Sequence, residues 1–298
     1  MHCSPAGWSA VSSASANAVL AAVLAGFMIN GMVLVLSRKP EKVMAELVQA
    51  LSLMFAAFVA LGLDAYLFGF VAGDSNNVSA CRRVWTEAMF AAGLLGIGAV
   101  AIIVGFVMLI DAYLGTVKED GQDSPAQDSP EQNRKDSLYL LQTLCNLLRR
   151  IVAFIVIGLL WVATRSYLFA VFNGHIPALG NLFLEAYGVG ILLALVLVIF
   201  EAVRKHSIQL LPYAPLRAIR VAIYSSVFYS AISVGLAGYA ASQPVRSWGP
   251  TNLFTRVMIC VTVVWVLLVS LIPLFLQLVS TVPSFATPTS RNRALGGP

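Results

Sequence analysis

Seven stretches of this chain are too long and too evenly apolar to alternate between a core and water. They run at about 14–36, 47–72, 86–114, 150–172, 183–203, 218–241 and 254–281. Each is about the 20 residues needed to cross a hydrocarbon layer of roughly 30 Å. In lipid every backbone N–H and C=O must be paired within the segment, so runs of this length predict helices. Barrel strands would alternate apolar and polar positions over about ten residues, and these runs do not. The pattern therefore predicts an all-α polytopic integral membrane bundle of seven transmembrane helices, forming a single transmembrane domain over residues 1–298.

Polar positions cluster between the runs. Residues 115–137, "GTVKEDGQDSPAQDSPEQNRKDS", repeat the tetrapeptide QDSP and bury too little apolar surface to order themselves. They predict a flexible cytoplasmic linker. The apolar residues 138–148 that follow read as an interfacial helix or an extension of the fourth crossing. The Ser-, Thr-, Pro- and Gly-rich tail over 283–298 predicts a mobile end.

Composition agrees with the pattern. Hydrophobic residues make up 59% of the chain and charged residues 11%, where a soluble domain carries roughly a quarter. The lipid bilayer is the first partner this implies. The distribution of charge then sets an orientation. Fourteen Lys and Arg fall after odd-numbered runs or in the tail, against four (Arg82, Arg83, Arg246 and Arg256) on the other side. Positive charge stays cytoplasmic, which predicts N-out/C-in. The net charge of +5 is then mostly topological and points to no nucleic acid. No basic residue precedes the first run, so it reads as a reverse anchor rather than a cleaved signal.

With short loops, that reading fits a cell membrane protein of the bacterial inner membrane. Asn77-Val78-Ser79 matches a glycosylation acceptor, which only a eukaryotic secretory pathway would use. Cys3 and Cys81 share the outer side, where a disulfide could persist.

The ionisable residues inside the runs carry the candidate chemistry. Asp64-Ala-Tyr-Leu-Phe-Gly-Phe-Val-Ala-Gly73 aligns with Arg165-Ser-Tyr-Leu-Phe-Ala-Val-Phe-Asn-Gly174. This suggests repeated helical hairpins, 2–3 and 4–5, and places Asp64 and Arg165 at equivalent positions. Each lies about eight residues from the outer end of its run. An unpaired charge at that depth costs about 3 kcal/mol or more. The expectation is an Asp64–Arg165 ion pair, with Tyr66 and Tyr167 adding hydroxyl groups. It is either a structural lock or a polar site open to the outer side.

Glu87 and Glu185 open the third and fifth runs, where the helix dipole favours carboxylates. With His175 they form a candidate outer vestibule. Asp111 and Glu201 lie near the cytoplasmic ends, where they can reach interfacial water. Gly93, Gly96 and Gly98 give the third run a small-residue face suited to close packing, which makes it the expected central helix.

Enzyme signatures are missing from the sequence. It has three histidines and no HExxH, no GxSxG elbow, and no Walker or dinucleotide loop. Asp64 and Asp111 lie towards opposite ends of their runs and cannot share a proton as an aspartyl dyad must. The last run holds no lysine for retinal. Asp111-Ala112-Tyr113 and Ser270-Leu271-Ile272-Pro273 lack the rhodopsin-like receptor marks. No motif assigns a catalytic residue, a cofactor or a metal. Two readings remain. One is a small transporter or channel-like protein with a polar site in the outer half of the bundle, taking a small polar solute. The other is a non-catalytic membrane subunit or sensor that binds a partner membrane protein, with the ion pair purely structural.

Overall fold

The computed structural model describes residues 9–37, 44–74, 80–120, 130–203 and 215–279. These residues are almost wholly helical, and no strand occurs among them. The helices are α1 (Ala10–Ser37), α2 (Met44–Ala72), α3 (Cys81–Asp120), α4 (Pro130–Val171), α5 (Ala178–Val203) and α6 (Pro215–Ser242). A short 3₁₀ turn at Val245–Trp248 follows. The last rod is α7 (Leu253–Val264), a π turn (Trp265–Val269) and α8 (Leu271–Val279). Six of the rods are long and apolar enough to cross a membrane. The described apolar part of α5 is shorter, at Gly180–Leu193. The expected linker is helical at both ends, because α3 runs to Asp120 and α4 begins at Pro130. Residues 121–129 and the tail from 280 lie outside the described residues.

Helix α3 is the hub. It packs against α1, α2, α4, α6, α7 and α8. Its glycines explain how so many neighbours approach. A methyl group on Gly96 would lie 2.9 Å from Val156 of α4. On Gly98 it would lie 2.7 Å from Leu61 of α2, and on Gly105 2.9 Å from Met54 of α2. On Gly93 it would overlap the hydroxyl of Tyr229 in α6. Four glycines thus admit three helices, the use of small residues expected where lipid supplies no hydrophobic drive. Helix α1 docks through alanines. Ala10, Ala14, Ala21 and Ala25 are buried along one stripe, while Val19, Val23, Phe27 and Val33 face outward.

These contacts fix the register. Met54 meets Gly105 and Leu61 meets Gly98, seven residues apart in both helices. That antiparallel alignment sets Asp64 level with residue 95 of α3, near the middle of the Cys81–Ile110 span. On the other side, Val156 meets Gly96, and Tyr167 meets Thr86 through its hydroxyl at 3.1 Å. Arg165 is therefore level with residues 87–88 of α3.

One end of the bundle gathers the start of α3, the end of α4 and the turn after α6. Arg82 ties them together. Its Nε donates to the Val171 carbonyl at 2.9 Å and its Nη1 to the Trp248 carbonyl at 3.0 Å. A cation at the C-terminus of α4 is also favoured by the helix dipole. Helix α4 closes with Asn173 and Gly174 at positive φ, and Gly174 N–H bonds back to the Phe169 carbonyl at 2.8 Å. We call this end the Arg82 end.

Candidate functional site

Asp64 is wholly buried, and neither carboxylate oxygen has a hydrogen-bond partner among the described residues. Arg165 is exposed, and no ion pair joins it to Asp64. The expected pair does not form, and the register shows why. Asp64 lies eight residues from the end of α2 and Arg165 six from the end of α4, and α2 also ends deeper along α3 than α4 does. They are separated by about seven or eight residues of α3, or roughly 11 Å of depth at 1.5 Å per residue.

The tyrosine expectation fails for a second reason. Residues i and i+2 on a helix do not share a face. Asp64 is buried and Tyr66 is 63% exposed, whereas Arg165 is exposed and Tyr167 is wholly buried. The two aligned segments present opposite members of their pairs to the core.

The vestibule residues also separate. Glu87 is buried, 3.6 Å from Arg83, which binds Asp74 at 2.6 Å. This acidic–basic chain ties the end of α2 to the start of α3. Glu185 and His175 are exposed, and neither makes an ion pair or side-chain hydrogen bond among the described residues. The side chains of Asp111 and Glu201 lie outside the described set.

What the structure places at the depth of Asp64 is a polar seam that sequence reasoning missed. Ser226, Tyr229, Ser230 and Ser233 of α6 are all buried, at one helical face. Tyr229 points its hydroxyl at Gly93, two residues from the level of Asp64 on α3, a rise of about 3 Å. That hydroxyl lies near Ser233 but makes no hydrogen bond of ordinary geometry. The Tyr229 ring stacks on Trp265 with centroids 5.3 Å apart, and the Trp265 indole N–H donates to Ser233 Oγ at 2.8 Å. Gln277 of α8, also buried, donates to Ser226 Oγ at 2.9 Å.

Trp265 opens the π turn. The buried positions Thr262, Val266, Ser270 and Leu274 recur at steps of four. In an α-helix such steps would drift about 40° each, roughly 120° over three. The π turn absorbs the extra residue and keeps both halves facing the core. Such turns recur at functional sites. The signal was present in the sequence as serines at i, i+4 and i+7 in an apolar run, with a glutamine in the last run.

A separate cleft of about 1100 Å³ opens between α1, α3 and α4.

Comparison of the chain with protein-family models, with curated proteins and with solved structures finds no match.

Proposed function

We propose that the protein is a small transporter or channel-like membrane protein in which Asp64 is the charge-bearing group of a buried polar seam. The observation that carries this reading is a wholly buried carboxyl group at mid-span, with no ion pair and no hydrogen-bond partner among the described residues. An unpartnered acid there costs stability. A purely structural role favours a paired acid or an apolar residue, whereas a group that must receive a cation or proton stays unpaired. The π turn, the stacked Tyr229–Trp265 pair and the serine face support a seam that can rearrange. The site belongs to the middle of the span rather than to its outer half.

In this reading the chain lies in a cell membrane, with the Arg82 end outside. The membrane we propose is the bacterial inner membrane. Cys81 is disulfide-bonded, its partner lying outside the described residues, and this supports placing the Arg82 end in an oxidising compartment.

Proteoliposomes carrying the full chain test the reading. Proton flux is followed with an entrapped pH dye, and sodium and potassium flux with the radioactive ions. Wild type is expected to pass at least one of them, alone or with a polar solute, and Asp64→Asn to lose at least nine-tenths of that flux while keeping its folded yield. Unchanged flux in Asp64→Asn would remove Asp64 from the mechanism. A wild type that passes none of them, alone or with solute, would overturn transport in favour of a partner-binding subunit.

A further inference from the structure

The cleft between α1, α3 and α4 has two chemically distinct parts. Its polar lining comes from Asn17, Arg165, Ser166 and Asn181, all towards the Arg82 end. The rest is apolar, from Leu20 and Leu24 on α1, Leu95 and Ala99 on α3, and Val152 to Leu160 on α4. Along α4 the lining runs from Val152 to Phe169, seventeen residues or about 25 Å. One leaflet of hydrocarbon is about 15 Å deep. The cleft is thus longer than one leaflet and is polar at one end only. Its walls open sideways, because Leu20, Ile155, Leu159, Val162 and Phe169 are exposed.

Arg165 has no ion pair among the described residues, and no acidic residue lines the cleft. It lies six residues from the end of the Ile151–Val171 span, and Asn17 lies seven from the end of α1, so both sit about 10 Å below the helix ends. Arginine presents a planar fork of donors that matches a phosphate. A cation at this depth, without a carboxylate and facing a long apolar slot, fits one occupant chemistry.

We propose that this cleft is a binding site for a membrane phospholipid of net negative charge. The acyl chain lies along α4 between Leu24 and Leu160, and the headgroup phosphate meets Arg165, with Asn17 and Asn181 at its edge. The site does not depend on the transport reading, because none of its polar residues belongs to the Asp64 seam.

The test uses the full chain in detergent and reads the thermal unfolding midpoint during titration with phosphatidylglycerol. Phosphatidylcholine with the same acyl chains is the control lipid, and soluble glycerol phosphate is the headgroup control. Wild type is expected to be raised by phosphatidylglycerol well beyond phosphatidylcholine, with no response to glycerol phosphate. Arg165→Gln should weaken the apparent phosphatidylglycerol affinity about tenfold, the loss of one charge-assisted phosphate contact. Arg165→Lys, which keeps the charge and loses the fork, should weaken it by less than Arg165→Gln does. Ala99→Phe, which fills the apolar part, should weaken both lipids. Arg165 is exposed, so its variants test the site even if Ala99→Phe fails to fold. Equal responses to the two lipids would overturn the proposal, as would an unchanged response in Arg165→Gln. A full response to glycerol phosphate would make the site one for a free anion. A halving of the particle mass in Arg165→Gln, read by light scattering, would make the cleft an interface with a second copy.

Discussion

At the scale of single residues, Asp64 and Tyr229 present the same problem in different forms. Each buries a polar group at mid-span without a well-formed partner. An unsatisfied buried polar group costs about 1–3 kcal/mol, more for a charged one. Asp64→Leu is therefore expected to raise the unfolding midpoint of the purified protein, by several degrees, while abolishing any flux. Gain of stability with loss of activity is the usual mark of a destabilised functional group. A lower midpoint would mean that Asp64 has a partner the described residues do not include.

Gly93 gives a sharper test. A methyl group there would overlap the Tyr229 hydroxyl, but it would lie 3.4 Å from the ring carbon that carries it, an ordinary contact. Gly93→Ala should cost about 1–3 kcal/mol as overpacking. Tyr229→Phe removes the offending oxygen. The double variant should recover most of the loss, giving a coupling free energy of at least ~1 kcal/mol in a mutant cycle. Additive losses would show that the two residues do not touch.

At the scale of elements, the last rod depends on its π turn. Deleting Leu268, which is half exposed, would convert the turn to α-helix and rotate Ser270, Leu274 and Gln277 about 100° off the core. The deletion is expected to cost far more than Leu268→Ala, which keeps the phase. Comparable midpoints for the two variants would mean that the turn carries no phase information. The helices themselves were legible in the sequence, because lipid allows little else for long apolar runs. The hub role of α3 was legible too, from glycines that permit close approach.

The site was not legible in the same way. Depth was read as distance from the end of each run. That measure misplaces Asp64 against Arg165, because α2 ends level with about residue 87 of α3 while α4 runs on to the level of Arg82. Helical phase was also misjudged at Tyr66 and Tyr167, where the aligned segments bury opposite residues. The serine stripe of α6 was visible in the sequence, but serine in an apolar run often bonds its own backbone. Ser226 and Ser230 do so here, to Ala222 and Ser226. Only packing shows that Trp265 and Gln277 also reach this face.

At the scale of the whole molecule, the number of crossings turns on α5. Six rods meet the length and hydropathy needed, and α5 decides the seventh. Arg82 supports an answer. Its two hydrogen bonds put the end of α4 and the turn after α6 at the same end of the bundle. Helix α6 is itself a span and runs towards that end, since Tyr229 at its middle meets Gly93 near the middle of the Cys81–Ile110 span and Ser242 leads into the turn that Arg82 holds. The chain leaves α4 at the Arg82 end while α6 runs towards that end, which supports the proposal that α5 is a seventh crossing. Seven crossings would put the C-terminus on the side opposite α1's start, where fourteen of the Lys and Arg would then collect.

Reporter fusions after residue 298 test this in a bacterial host. Green fluorescent protein is expected to fluoresce there and alkaline phosphatase to be inactive, with the reverse for fusions at the turn after α6. Active phosphatase at residue 298 would mean an even number of crossings, or the opposite orientation. Cys81 separates those two outcomes. Under the N-out orientation an impermeant thiol reagent applied to intact cells should label Cys81 only after reduction. Protection of Cys81 from that reagent, before and after reduction, would invert the bundle and place the Arg82 end in the cytoplasm.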